Sequence, residues 1–232
     1  MKYFNMLMLC LVLFAGCQGK HVRTYWNTHS IDTENIDAAQ DVFIRFAQSA
    51  VKAPETEALD AMDVLFDQLS KDAVAYYIYA EWMDKVFYSP ASPCRSHVLY
   101  GKAVERMLAD GIFSEDELLP YRQKLAWTEY NRVGTQAIVP GFSQFDTRTL
   151  VLVLDLGCPS CREALETLAA DPAWQGVRKV AIGLGYGPRP EVPAWEYFSS
   201  ANYGAIFDIA MTPVYFVVAP GGIVECGYTP AL

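Results

Sequence analysis

Hydrophobic side chains between residues 31 and 133 recur at the spacing of amphipathic helices, three and four positions apart. Helices are therefore predicted at 42–50, 59–69, Tyr76–Phe87 and Ser96–Ala109. Gly111 follows the last of these as a helix stop, and Ser114 with Glu117 has the spacing of a capping box that opens another helix. Residues 31–133 are accordingly predicted to form an all-α helical domain.

Beyond residue 134 the helical spacing gives way to short, continuous apolar runs. Gly134, Pro140 and Gly141 interrupt the helical pattern, so the domain boundary is placed between residues 133 and 134. Buried strands are predicted at Thr149–Leu154, Val177–Leu184, Val214–Val218 and Ile223–Gly227. Helices are predicted between them at Cys161–Ala170 and Trp195–Ile209. This alternation indicates an α/β domain over 134–232.

The N-terminus has the pattern of an export signal, because the apolar run 6–15 is too short to cross a bilayer as a helix. The run ends in Phe14-Ala15-Gly16-Cys17, which resembles a bacterial lipobox. Residues 1–16 are therefore interpreted as a lipoprotein signal peptide, Cys17 as the lipidated residue that anchors the chain to a membrane, and 17–30 as a tether. The alternative is an ordinary signal peptide followed by a chance cysteine.

Composition and charge exclude some classes of protein. The chain has 232 residues, of which 52% are hydrophobic, enough for a sizeable core. Lys and Arg number 18 against 27 Asp and Glu, which gives a net charge of −9. An acidic surface repels nucleic acid and no basic patch interrupts it, so no nucleic-acid partner is expected. No second apolar run of about 18 residues follows the signal segment, so no transmembrane helix is predicted.

Four of the six cysteines lie beyond the predicted lipidation site. Cys94 and Cys226 lie one in each domain and are interpreted as buried free thiols, with a bridge between the domains as the alternative. Cys158 and Cys161 form a Cys-x-x-Cys pair. Export would bring that pair into an oxidising or redox-managed compartment, where cysteine pairs are not accidental.

The segment Cys158-Pro159-Ser160-Cys161 directly follows a predicted buried strand and opens a predicted helix. Unpaired backbone N–H groups and the helix dipole favour a thiolate there, so Cys158 is the candidate nucleophile. Cys161 lies one helical turn further and is the candidate resolving thiol. A fixed structural disulfide and half of a zinc site are the alternatives. Zinc is disfavoured because a tetrahedral site needs two further ligands, and all three histidines precede residue 134.

Residues 149–227 resemble the thioredoxin-like fold of exported TlpA/ResA-like proteins. The resemblance rests on the cysteine pair with the strand before it, on Met211-Thr212-Pro213 with the strand after it, and on the Pro220-Gly221-Gly222 hairpin turn. It implies that Pro213 follows a cis peptide bond and that Thr212 and Pro213 line the substrate-binding surface.

The resemblance also implies a truncated domain. The leading strand and helix of the fold are shortened to residues 134–148, and the chain stops at Leu232 without room for a closing helix. The helical region, including Tyr25-Trp26 and 87–93, resembles an uncharacterised domain that precedes thioredoxin-like domains in lipoproteins of anaerobic Gram-negative gut bacteria. This second resemblance implies a lipid-anchored, periplasm-facing protein of the cell envelope, on the outer rather than the inner membrane.

The site departs from thioredoxins at several positions, which makes its tuning a separate question. Ser160 offers a hydroxyl to the sulfur and Arg162 favours the thiolate, whereas Asp155 opposes it. Leu152 stands where thioredoxins carry a buried acid that assists proton transfer. Asp155 is the candidate substitute for that acid, with a merely polar strand-end residue as the alternative.

The function predicted from these features is thiol–disulfide exchange that reduces or reshuffles disulfides. Such an oxidoreductase needs a protein or small-molecule disulfide as substrate and an electron donor that the sequence does not identify. It needs no organic cofactor and no metal. The alternative is a non-catalytic cell-envelope binding module, in which the thioredoxin-like part is a scaffold with a structural cystine.

Overall fold

The computed structural model describes residues 22–185, 187–189, 191–199 and 201–231. The predicted signal peptide and the lipidation site Cys17 lie outside the described residues. Within them, no helix is both long enough and apolar enough to cross a membrane. The chain divides into two compact units, a helical unit that ends at Leu125 and a sheet unit that begins at Ala126.

The helical unit is built from amphipathic helices, as its spacing predicts. They are α1 (Tyr25–Thr28), α2 (Ile36–Ala50), α3 (Glu55–Leu69), α4 (Ala73–Met83), α5 (His97–Asp110) and α6 (Glu115–Thr128), with a π-helical turn at Asp84–Tyr88. Helix α1 falls in the segment interpreted as a tether, and its Tyr25 and Trp26 are buried against Phe46 of α2. Helix α6 continues past Leu125 into the sheet unit.

Side chains at the helix ends explain where several helices begin and stop. Asp72 accepts hydrogen bonds from the N–H groups of Val74 and Ala75, which caps α4. The predicted capping box is present, because the Ser114 backbone N–H donates to Glu117 at 2.8 Å. Gly111 ends α5 with a φ of 67°, in the left-handed region that favours glycine.

The sheet unit has the mixed α/β architecture that the apolar runs predict. Its strands are β1 (Thr149–Asp155), β2 (Arg178–Leu184), β3 (Glu196–Ser199), β4 (Val214–Val218) and β5 (Val224–Pro230), and α7 (Pro159–Ala170) joins β1 to β2. The strand order is β3-β2-β1-β4-β5. Strands β1, β2 and β3 are mutually parallel, whereas β4 is antiparallel to both β1 and β5.

Strand β1 supplies both cores of this unit, because successive side chains of a strand point to opposite faces. Leu150, Leu152 and Leu154 pack with Cys161 and the apolar side of α7 on one face. Val151 and Val153 pack on the other face, against side chains from β2, β4 and two segments outside the α-helices, 139–145 and 203–207. Every residue from Thr149 to Leu154 is at most 1% exposed, so β1 is the most buried element of the sheet unit.

The prediction of a helix over Trp195–Ile209 is wrong. Residues 196–199 form the edge strand β3, and two 3-10 turns follow at Ala201–Ala205 and Ile209–Met211. Trp195 and Tyr197 pack on the α7 face while Phe198 packs on the opposite face, which is the period of a strand. Residues 196–199 are extended because they pair with the free edge of β2. The hydrophobic pattern of 195–209 alone does not show that this partner is available.

The free cysteines differ from each other in burial. Cys94 is buried, as predicted, but Cys226 is exposed on β5, so the prediction of a buried thiol is wrong there. Neither residue forms a disulfide, which leaves no bridge between them. Cys226 is an accessible thiol because β5 is an edge strand with one solvent-facing side.

The turn after β1 lies unusually close to the chain that follows β2. The Leu156 N–H donates to the Leu184 carbonyl at 3.0 Å. A Cβ atom on Gly187 would stand 2.7 Å from the Leu156 carbonyl oxygen, which is backbone and has little room to move. Glycine at 187 therefore permits the close approach that positions the turn leading into α7.

Replacing Gly187 with alanine is expected to destabilise the sheet unit by about 1–3 kcal/mol, because the added methyl forces the two backbones apart. Gly204→Ala is the matched control, since nothing lies within 4 Å of a Cβ there. Urea unfolding followed by circular dichroism measures the free energy of unfolding of each variant. Equal midpoints for Gly187→Ala and Gly204→Ala would contradict the prediction.

Candidate active site

The junction of β1 and α7 positions the cysteine pair. Cys158 is the N-cap of α7, with extended backbone angles, and Pro159 occupies the first helical position, where its missing N–H costs nothing. The Cys158 N–H donates to the Asp155 carbonyl at 3.1 Å, and the Cys161 N–H donates to the Cys158 carbonyl at 3.2 Å. These two bonds hold both cysteines on the first turn of the helix.

The Cys158 sulfur is partly exposed and lies in surroundings that favour a thiolate. Its Sγ is 2.8 Å from the hydroxyl oxygen of Ser160. This hydroxyl is the main cause that lowers the pKa of Cys158, and the backbone N–H groups of Ser160 and Cys161 act in the same direction against a partial desolvation. Cys158 is thereby suited to act as a nucleophile.

The Cys161 sulfur lies in the opposite environment. The residue is 1% exposed within the core between α7 and the sheet. Burial raises the pKa of Cys161 to about 11, although the Asp155 N–H, which donates to its Sγ at 3.3 Å, favours the thiolate. The negative charge of Cys158 raises that pKa further, while the Thr212 hydroxyl lowers it. Both cysteines are free thiols.

Thr212 and Pro213 lie next to this pair at the start of β4. The peptide bond between them is cis, as the resemblance implies. The Thr212 hydroxyl donates to the Ile209 carbonyl at 2.8 Å and also faces the Cys161 sulfur. Both residues are half-buried, so part of each contributes to the surface beside the cysteines.

The three candidate tuning residues occupy different places. Ser160 contacts the Cys158 sulfur. The Asp155 carboxylate accepts from the Gly157 N–H at 2.9 Å, so it holds the turn together, and only its backbone N–H reaches a sulfur. Arg162 is exposed on α7. Its charge lowers the pKa of Tyr197, whereas burial of Tyr197 raises that pKa by more. Leu152 is fully buried in β1, with no acid in its place.

Two openings flank the site. A cleft of about 610 Å³ lies at the carboxyl ends of the parallel strands, between Leu156, Ile209 and Trp127. A smaller pocket of about 370 Å³ includes Arg189 and Tyr197. Arg189 could not be selected from the sequence, because nothing in a Gly- and Pro-rich loop indicates which aromatic ring its side chain will contact.

The described part of the chain contains no cluster of three or more His, Cys, Asp or Glu side chains that could hold a metal ion. The three histidines of the sequence all precede residue 134 and so lie in other parts of the chain than the cysteine pair.

The fold is similar to that of a solved structure. A thioredoxin-like protein from Bacteroides caccae ATCC 43185 superposes with a TM-score of 0.72 at 18% sequence identity, over 92% of this chain and 89% of that one. No family model and no curated protein matches the chain. The chain thus has a thioredoxin-like fold with an N-terminal helical part, as the sequence predicts.

Replacing Ser160 with alanine is expected to raise the pKa of Cys158, because it removes the hydroxyl that stabilises the thiolate. Only the thiolate reacts with iodoacetamide, so the alkylation curve of the wild type rises at lower pH than that of the variant. At a pH below both pKa values, Ser160→Ala should react about threefold more slowly. Measurements use a Cys10→Ser, Cys17→Ser, Cys226→Ser background, which leaves the buried Cys94 and Cys161 as the other thiols.

Ser160→Thr is the control for this comparison, since it keeps a hydroxyl at the same position and should retain most of the wild-type reactivity. Superimposable pH profiles for the wild type and Ser160→Ala would show that the Ser160 hydroxyl does not tune Cys158.

Proposed function

We propose that the sheet unit is a thiol–disulfide oxidoreductase that reduces or reshuffles the disulfides of a protein or small-molecule substrate. The observation that carries the proposal is the opposite environment of the two sulfurs: the pKa of Cys158 is lowered and that of Cys161 is raised. Disulfide exchange needs one accessible thiolate and a second thiol held back until a mixed disulfide has formed. A fixed structural disulfide requires no such asymmetry.

The reaction begins when the Cys158 thiolate attacks one sulfur of the substrate disulfide. A disulfide forms between Cys158 and the substrate, the substrate S–S bond breaks, and the other substrate sulfur leaves as a thiolate that takes a proton from water. Cys161 then loses its proton and attacks the Cys158 sulfur. This second step releases the remaining substrate thiolate and closes a Cys158–Cys161 disulfide, so two electrons pass to the substrate.

The second step requires ionised Cys161, and the first step makes that ionisation easier. The negative charge of Cys158 is one cause of the raised pKa of Cys161. A mixed disulfide removes this charge, while the Asp155 N–H and the Thr212 hydroxyl still face the Cys161 sulfur. Loss of the Cys158 charge in the mixed disulfide therefore lowers the pKa of Cys161.

The oxidised pair must be returned to its dithiol form before another reduction. A dithiol donor, itself oxidised to a disulfide, would supply the two electrons by the same exchange in reverse. When reshuffling is the outcome, the released substrate thiolate attacks the mixed disulfide instead, and no external donor is consumed.

The same proposal includes a location in the cell envelope. Lipid on Cys17 would anchor the chain to a membrane, the outer one in preference to the inner, with both units facing the periplasm. The supporting observations are the short apolar run 6–15 and the lipobox-like residues 14–17.

Cys161→Ala is expected to stop the reaction after the first step, because no thiol remains to resolve the mixed disulfide. Incubated with insulin, the reduced variant should accumulate a covalent adduct through Cys158 that lives about tenfold longer than any wild-type adduct. Mass spectrometry under non-reducing conditions identifies the adduct. The full chain carries Cys10→Ser, Cys17→Ser and Cys226→Ser, so that none of these thiols forms adducts of its own.

Cys158→Ala in the same background is the matched control and should form no adduct, since the remaining Cys161 is buried. The proposal fails if Cys161→Ala traps no disulfide substrate and the wild-type chain does not reduce insulin.

A redox titration separates the enzyme from a binding module with a structural cystine. Equilibration of the full chain with mixtures of reduced and oxidised dithiothreitol should give a midpoint above about −300 mV for the Cys158–Cys161 pair. A midpoint well below that value would assign the pair a structural role and favour the binding module.

A further inference from the structure

We infer that the pocket beside α7 binds a carboxylate of the substrate, so that disulfides flanked by acidic residues are preferred. This inference rests on the function proposed above and names its substrate class. The pocket measures about 370 Å³ and is lined by Arg189, Glu191, Val192, Pro193, Trp195 and Tyr197. That volume lies at the small end of the range for ligand pockets and is large enough for an acidic side chain or a terminal carboxylate.

The pocket and the cysteine pair lie on the same face of the sheet. The Trp195 indole N–H donates to the Leu165 carbonyl of α7 at 3.0 Å, a buried bond that fixes one wall of the pocket to the helix. Trp195 belongs to the apolar cluster that contains Cys161, and Tyr197 and Cys158 pack against that cluster. A substrate chain held at Cys158 can therefore extend along α7 toward the pocket.

Two guanidinium groups are directed to this region. The Arg189 Cζ lies 4.4 Å from the centre of the Tyr197 ring. Arg162 is four residues after Cys158 on α7, which places both on the same side of the helix. Arg189 contacts the Tyr197 ring, and the charges of Arg162 and Arg189 both lower the pKa of Tyr197, so Arg162 also lies near this residue.

Among the residues that the structure describes, these arginines have no acidic partner. Within the described residues, neither Arg162 nor Arg189 lies within 4.0 Å of a carboxylate, whereas Arg106 and Arg178 are each held in ion pairs. Glu191 lines the pocket and Glu166 follows Arg162 by one helical turn, yet neither forms an ion pair with them. Their guanidinium groups remain available to a ligand.

Tyr197 contributes a third polar group. Its hydroxyl is buried and donates its hydrogen to no acceptor within the described residues, while the Val192 N–H lies close enough to the oxygen to favour the ionised form. Buried polar groups without partners are uncommon and call for an explanation. A bound carboxylate that accepts this hydrogen would supply one.

A carboxylate is the ligand that these groups fit best. Guanidinium groups bind planar carboxylates through paired hydrogen bonds. The chain carries a net charge of −9, so an acidic substrate is repelled elsewhere on the surface and is favoured only where positive groups converge. Arg162 and Arg189 provide that convergence beside the nucleophile.

The test compares the rates at which the reduced full chain reduces synthetic disulfide peptides that differ only in the two residues flanking a cysteine. These residues are Glu, Gln or Lys, and glutathione disulfide serves as a small dicarboxylate probe. At low salt the Glu peptide should react about threefold to tenfold faster than the Gln peptide, and the Lys peptide more slowly than both. About 1 M salt should abolish the difference. If glutathione disulfide reacts about as fast as the Glu peptide, the site binds free carboxylates. If glutathione disulfide reacts more slowly than the Glu peptide, the site binds acidic protein segments.

The paired variant Arg162→Gln, Arg189→Gln should bring the Glu/Gln rate ratio close to one, and the ratio of the two rates, not either rate alone, is the readout. Arg122→Gln, Arg148→Gln is the matched control, because it changes the net charge equally at exposed sites elsewhere. An equal loss of preference in the control would overturn the inference in favour of overall charge. Equal slowing of all peptides by Arg162→Gln, Arg189→Gln would overturn it in favour of a structural role.

The outcomes for the inference and for the proposed function are distinct. A wild-type chain that reduces all three peptides at the same rate contradicts carboxylate binding and leaves the oxidoreductase intact. A wild-type chain that reduces none of them contradicts the oxidoreductase itself.

Discussion

The complete burial of β1 is the constraint on which the rest of the sheet unit depends. Its side chains fill the cores on both faces of the sheet, so the strand cannot shift by one residue without exchanging the two sets. Because β1 is fixed, the point at which it ends is fixed as well. The turn that follows β1 therefore places Cys158 at the N-cap of α7. It also places Cys161 in the core between α7 and the sheet.

The asymmetry of the two sulfurs follows from this geometry rather than from any strongly charged neighbour. Cys161 points toward Leu152 and Leu154 in the core, and burial dominates its pKa. Cys158, three residues earlier, remains at the surface, where one hydroxyl and a few backbone N–H groups suffice to favour the thiolate. Such neutral donors are less sensitive to salt than an ion pair would be.

The sequence predicts the elements that are decided locally and misses those decided by distant partners. Strands β1, β2 and β4 follow from continuous apolar runs, and α7 follows from its spacing, so the thioredoxin-like fold and the cysteine pair at a helix start were predictable. Strand β3 was not, because four half-exposed residues become a strand only when they pair with β2. The contact of Arg189 with Tyr197 was equally hidden, since it depends on the path of a loop.

The position of β3 in the chain has a consequence for the order of assembly. The three parallel strands and α7 occupy one uninterrupted stretch, 149–199, so their contacts close short loops and cost little chain entropy. Thr212, by contrast, reaches Cys161 only after β4 has inserted beside β1 from further along the chain. A nascent chain that has folded as far as β3 would already have Cys158 and Cys161 at the start of α7. Thr212 would not yet cover the Cys161 sulfur.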